Sequence, residues 1–262
     1  MATRPARKKS RTPSEPASKY RVPLRIVPLH PHVRVAAAAA PNLTYRNGPL
    51  LTNVAVFPIL WGKAWQSAAI VTVSDQINTF FDFILTSGLM DQLAEYSVPG
   101  KSIGHGSRTG SLNLTDSEPG DSVDDATIQQ TLQSAIAAGT LPAPTANTLY
   151  FLYLPPGTQV TMSGGASCND FCGYHEVSAG NIFYAVMPFP GCAGCQGGLA
   201  TLAALTSTSS HELCEAITDP IPGQGWYDDT HGEIGDICAW QTKRIGDYTV
   251  QLEWSNSAGS CI

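Results

Sequence analysis

Apolar and polar positions divide the chain into segments with distinct periods. Val54-Ala55-Val56-Phe57-Pro58-Ile59-Leu60-Trp61 is an unbroken apolar run closed by Gly62, the pattern of a strand covered on both faces. Pro58 has no backbone N–H to give and counts against a central place in a sheet. Thr148 to Leu154, closed by Pro155-Pro156-Gly157, is a second such run, and Ile182 to Met187 is a third. Helical spacing runs through Ile77, Phe80, Phe81, Ile84 and Leu85, with Ser74 and Asp75 as candidate caps, and a short helix follows at Leu89, Leu93 and Tyr96. Asp124 precedes Ile128, Leu132 and Ile136, a third amphipathic helix stopped by Gly139 and Pro142. A long helix is predicted from Leu199 to Thr218, ended by Asp219-Pro220, while 100–120 reads as a Gly/Ser/Asp-rich loop. Strands mixed with helices in this order predict an α/β (α+β) domain with a mixed sheet.

The first forty or so residues keep no period. Residues 1–34 hold nine of the fifteen Lys and Arg and a single acid, Glu15. Residues 1–41 are therefore expected to be a disordered basic tail, with one domain over 42–262. From residue 35 onward six basic face twenty acidic residues, a net charge of −14. So acidic a body repels nucleic acid and excludes that class of partner. No apolar run reaches the roughly 18 residues of a membrane span, and no apolar stretch of secretory-signal type follows the basic start.

All seven cysteines fall in the last hundred residues, at 168, 172, 192, 195, 214, 238 and 261. The two close pairs suit either a zinc knuckle or, in an oxidising compartment, disulfides with one thiol left over.

The chemistry concentrates in His211-Glu212-Leu213-Cys214-Glu215 on the predicted long helix. His211 and Glu215 are four apart and share one face, the geometry by which a zincin helix presents two metal ligands while the adjacent Glu serves as general base. Here the second ligand is a carboxylate, which zinc accepts at about 2.0–2.2 Å. The simpler alternative is a polar helix face with its acids in water. Asp219, Asp228, Asp229, His231, Glu233 and Asp236 follow, and no Lys or Arg occurs between Arg108 and Lys243. Acids without cationic partners need solvent, a metal ion, or a base brought in by the fold. Glu233 is the first choice for a third ligand, with Asp236 as a ligand or as an acceptor orienting the His211 ring. Zinc is expected, and calcium is the alternative for so many oxygen donors. His175 is either a further ligand or, more simply, a loop histidine held by packing around the cysteines. No Gly-x-Ser-x-Gly elbow supports serine hydrolase chemistry.

Several stretches in order resemble the phosphate-induced protein 1 / EXORDIUM-like family. They are Tyr45-Arg46-Asn47-Gly48-Pro49-Leu50-Leu51, Ile59-Leu60-Trp61-Gly62, Phe171-Cys172-Gly173-Tyr174-His175, Cys192…Cys195, the His211–Glu215 motif with Asp219-Pro220, Gly225-Trp226-Tyr227, Glu233-Ile234-Gly235-Asp236-Ile237-Cys238, and Trp254…Cys261. The resemblance covers 42–262 and implies disulfides among Cys168, Cys172, Cys192 and Cys195, a Cys238–Cys261 bridge, and Cys214 as the extra thiol. It also implies an extracellular or cell-surface setting, and it names no reaction.

Two functions are therefore expected in competition. One is a single zincin-like domain acting as a metallopeptidase, with His211, Glu215, Glu233 and Asp236 around the metal and Glu212 as base. The other is a non-catalytic secreted or surface protein of the same fold, binding a peptide or a cell-wall glycan, with a structural metal or none.

Overall fold

The structure is a computed structural model that describes residues 26–30 and 40–262. Its centre is a seven-stranded mixed sheet. The strands are β1 (Ile26–Pro28), β2 (Ala55–Trp61), β3 (Ser107–Arg108), β4 (Leu112–Leu114), β5 (Thr148–Tyr153), β6 (Phe171–Ser178) and β7 (Ile182–Met187). The spatial order is β1-β6-β7-β5-β2-β3, with β4 also beside β2. The pairs β7/β5, β5/β2, β2/β3 and β2/β4 are parallel, whereas β1/β6 and β6/β7 are antiparallel. A separate hairpin, β8 (Thr242–Ile245) and β9 (Tyr248–Gln251), lies outside this sheet.

Both faces of the sheet are covered, and the unbroken apolar runs are the result. Val56, Leu60, Leu149, Phe151, Tyr153, Phe183, Ala185 and Met187 point into one core. Phe57, Ile59, Trp61, Tyr150, Leu152, Tyr184 and Val186 alternate into a second. On the first face lie α1 (Val71–Ile84) and α2 (Gly88–Leu93); the second carries α3 (Asp125–Ala137). The helix α4 (Thr201–Thr218) shares the first face and packs on β6, β7 and β9.

Pro58 does sit in an interior strand, against the sequence expectation. Even-numbered positions of β2 direct their backbone groups toward β3 and β4, since Val56 O accepts from Thr109 N–H and Gly62 N–H donates to Leu114 O. β3 pairs with 55–56 and β4 with 59–61, so Pro58 falls in the gap between them. The missing N–H costs no ladder bond there.

Other expectations shift in detail. α1 begins at Val71 behind Ile70, so Ser74 and Asp75 are inside the helix rather than capping it. Ser87 caps α2 and Asp124 caps α3, each side chain accepting a backbone N–H. The expected loop over 100–120 contains β3 and β4. Part of the expected 1–41 tail forms β1 at the sheet edge, where Trp240 Nε1 donates to Pro28 O at 2.7 Å; 1–25 and 31–39 lie outside the described residues.

The cysteines form disulfides at 168–192, 172–195 and 238–261, with Cys214 free and buried. This closes the zinc-knuckle alternative, since the close pairs are consumed by each other, and it suits an oxidising environment. No helix among the described residues is long and apolar enough to cross a membrane.

Cys172–Cys195 ties β6 to the short turn Ala193–Gln196 that leads into α4. Closing a loop of this size constrains the unfolded chain by about 3 kcal/mol. Replacing Cys172 and Cys195 together by serine should lower Tm by roughly 6–12 °C, read by calorimetry.

Candidate metal centre

α4 is a helix of modest hydrophobicity that is nonetheless buried throughout from Ala204 to Thr218. Its small hydroxyl residues make this possible by finding partners on each side. Ser209 Oγ meets Tyr153 OH at 2.8 Å, Thr206 Oγ1 donates to Thr249 O at 2.7 Å, and Ser210 Oγ accepts from Gln251 N–H at 2.9 Å. The acids therefore do not face water, which removes the solvated-face alternative. His211, Glu212, Glu215 and Glu233 are each 0% exposed.

β6 supplies the residue whose role the sequence left undecided. His175 is on this strand rather than in a loop, and it is buried against α4. Gly173, two positions earlier on the same strand face, makes the close approach possible: a Cβ there would lie 2.7 Å from Thr208 Cγ2. His175 Nδ1 lies 3.0 Å from Glu212 Oε2 and 3.5 Å from Glu215 Oε2. On the other side of the ring, Nε2 lies 3.1 Å from Asp219 O and 3.5 Å from Glu233 Oε1.

His211 lies one turn before Glu215, with Nε2 2.9 Å from Glu215 Oε1. Glu215 is the one group this nitrogen meets at that distance, and the Glu215 Oε2, Glu212 Oε1 and Glu233 oxygens nearby have no hydrogen-bond partner. A contact this short also suits two ligands of one ion, since an ion about 2.1 Å from each sets them roughly 3.0–3.4 Å apart. Glycines shape the loop that closes this side. A Cβ at Gly235 would strike the His211 ring, and one at Gly232, which has φ +88°, would strike the Asp236 carboxylate. Asp236 N–H donates to Glu215 Oε1 at 3.0 Å, and the Asp236 carboxylate accepts from Glu233 N–H.

All five expected residues are thus drawn together. His211, Glu215 and Asp236 form one set of three donors whose atoms lie within 4.8 Å of one another. His175, Glu212 and Glu215 form another, so these buried groups could hold a metal ion. Glu233, the first choice for third ligand, stands instead on the far side of the His175 ring. Glu212 joins the His175 set, while Asp219 organises the following turn by accepting N–H groups from 223, 224 and 225. His231 pairs with Asp228, away from the cluster.

The electrostatics are severe. Burial would raise Glu215, but the His211 and His175 imidazoles outweigh it and hold Glu215 at about 2. Burial would lower His175, yet Glu212 and Glu215 hold it up at about 10. Glu212 is raised by burial, against the His175 hydrogen bond. Glu233 and Asp236 are raised well above the carboxylate range by burial and then by the Glu215 charge. Oxygens of Glu212, Glu215 and Glu233 have no hydrogen-bond partner.

No protein-family model and no curated protein matches the chain. Among solved structures, one described as "Structure of a chaperone-substrate complex" is similar at 11% identity over 62% of this chain and 23% of that chain, with a TM-score of 0.33. So low a score carries no argument about fold or role.

In metal-free protein these shifts fix the sign of a pH dependence. His175 rises from 6.5 to about 10, so its contribution is complete below pH 6.5 and is lost as pH climbs through about 10. The raised carboxyls act in the same direction above their ordinary range. Glu215 falls from 4.5 to about 2, so its contribution is present above pH 4.5 and lost toward pH 2. Calorimetry in chelator should therefore show Tm falling steadily between pH 6.5 and 10; a flat profile there would contradict the cluster's protonation.

Proposed function

We propose that this protein binds a divalent metal ion, zinc, in the buried cluster that α4, β6 and the 232–238 loop build around Glu215. The observation that carries the reading is the convergence of His175, His211, Glu212 and Asp236 on Glu215 within ligand reach, beside buried carboxylate oxygens that have no partner. Among the described residues no Lys or Arg forms an ion pair with Glu212, Glu215 or Glu233. An unpaired buried carboxylate costs several kcal/mol, and a cation offsets that cost. Two histidines among the donors favour zinc over calcium, which takes oxygen ligands.

The zincin-like reading and the EXORDIUM-like resemblance belong to the same proposal. The long helix with His211 and Glu215 on one face supports the first. The disulfides at 172–195, 168–192 and 238–261, with Cys214 left over, agree with the second. The three disulfides suit an oxidising environment, and the resemblance implies an extracellular or cell-surface setting in which a peptide or cell-wall glycan would be the partner.

Between the two roles, burial favours metal binding over catalysis. A peptidase must admit a peptide to its base, and Glu212 is 0% exposed. In a hydrolase a bound metal would supply Lewis-acid chemistry and a water of lowered pKa. Glu212 Oε1 lacks a hydrogen-bond partner and would hold that water's proton. Hydrolysis thus requires a conformation in which α4 and β6 part.

Elemental analysis of purified protein tests the binding reading: zinc is expected in the parent and absent from Glu215→Gln. Chelation should lower Tm by roughly 5–10 °C, with zinc restoring it, since an ion at 100 times its Kd stabilises by about 2.7 kcal/mol. A well-folded parent that takes up no metal sinks the proposal. Casein hydrolysis by the zinc-loaded parent, lost in Glu212→Gln while zinc is retained at the His211/Glu215/Asp236 set, would assign the peptidase role.

A further inference from the structure

The division of donors inside the cluster goes beyond the binding of an ion. Ligand atoms of one zinc-sized ion lie about 2.0–2.3 Å from it, so no two stand more than about 4–5 Å apart. Two different sets of three meet that condition, His175/Glu212/Glu215 and His211/Glu215/Asp236, and Glu215 is their common member. It turns a different oxygen to each, Oε1 at 2.9 Å from His211 Nε2 and Oε2 at 3.5 Å from His175 Nδ1. A carboxylate with one oxygen toward each of two ligand sets is the bridge of a two-metal site, whose ions stand about 3.5–4 Å apart.

Charge points the same way. Glu212, Glu215, Glu233 and Asp236, with Asp219 and Glu253 electrostatically linked to them, bring six carboxylates into one buried neighbourhood, and no Lys or Arg occurs between Arg108 and Lys243. One divalent ion neutralises two of them and a second ion two more, which leaves fewer to be met by retained protons.

We propose that the cluster is a two-metal centre bridged by Glu215, in which the His175/Glu212 side fills first and the His211/Asp236 side second. The order follows from what each ring's other nitrogen touches. His175 Nε2 donates to Asp219 O at 3.1 Å, a contact that ligation through Nδ1 keeps once metal displaces the proton Nδ1 shares with Glu212. At His211 the outer partner is Gln251. Its Oε1 accepts from Trp240 N–H and its Nε2 donates to Gly235 O, so its amino group faces His211 Nδ1 at 2.8 Å. A ring that accepts at Nδ1 keeps its proton on Nε2. Ligation through Nε2 therefore requires the Gln251 carboxamide to turn over and give up both contacts, which weakens the second site.

This inference rests on the metal-binding reading, and one titration separates the two. Full-length protein stripped by chelator is titrated with Zn²⁺ by calorimetry, and bound metal is counted after buffer exchange. Two ions per chain in two steps are expected. His175→Ala should lose the tighter step and His211→Ala the weaker, each keeping one ion. A single ion per chain in the parent overturns the two-metal centre and leaves the binding reading standing; no ion overturns both. Should either variant fail to fold, the unmodified protein loaded with two equivalents of Mn²⁺ decides by electron paramagnetic resonance. An exchange-coupled signal supports the bridge, and the hyperfine pattern of lone ions overturns it.

Discussion

A carboxylate without water, and without a Lys or Arg to answer it, is the constraint around which this molecule is arranged. Glu215 sits at 0% exposure on a helix buried over most of its length. Its negative charge is tolerable only because His211, His175 and the Asp236 N–H converge on its two oxygens. Each of those partners comes from a different part of the chain, so the elements carrying them must be held in register. The β6 strand is fixed by its place between β1 and β7 and by the disulfide to Cys195. The 232–238 loop is pinned by the Cys238–Cys261 bridge at its end and by glycines that leave room for the His211 ring and the Asp236 carboxylate. The β8–β9 hairpin then closes the remaining side of α4 through Ser210, Thr206 and Gln251.

The sheet was the most legible part of the sequence, because burial on both faces leaves a trace that needs no partner to interpret. Leu149 to Leu154 and Ile182 to Met187 are aliphatic or aromatic at every position but the sulfur-bearing Met187, and their odd and even residues enter different cores. Pro58 misled because the rule against interior proline assumes continuous pairing on both sides, and here the neighbour is two short strands with a gap. Helix α4 was legible in position but not in burial. Its acids could equally have faced water, and only the tertiary partners of its serines and threonines make a buried helix of it.

The candidate metal cluster was half legible. His211, Glu212 and Glu215 announce themselves by helical spacing, and the acids of 233–236 by the absence of cations around them. His175 did not, since it precedes Glu212 by 37 positions and sits on a strand whose inward face cannot be told from one sequence alone. A trace was present even so. Gly173 and His175 share one face of β6, and a glycine inside a strand often marks a close approach by another element. The choice between Glu233 and Asp236 was beyond the sequence for a different reason. The 3₁₀ turn at Asp236–Cys238 decides which of the two faces Glu215, and a three-residue turn leaves no period to read.

The same cluster can be neutral in two ways, and this links its chemistry to its surroundings. Without metal, the His175 imidazole is held protonated and Glu233 and Asp236 keep their protons, so most of the cluster's charge is met by hydrogen ions already inside. With metal, those protons must leave, because a ligating imidazole is neutral and a ligating carboxyl is ionised. Metal uptake is then an exchange of protons for cations in a volume that admits no net charge. Rising pH weakens the proton-balanced form and favours the metal-balanced one. Gln251 adds a positional condition to this exchange, because the His211 ring cannot surrender its Nε2 proton while an amide N–H occupies Nδ1. The outer hydrogen bond of a single glutamine thereby sets how readily half of the cluster changes from one form of neutrality to the other.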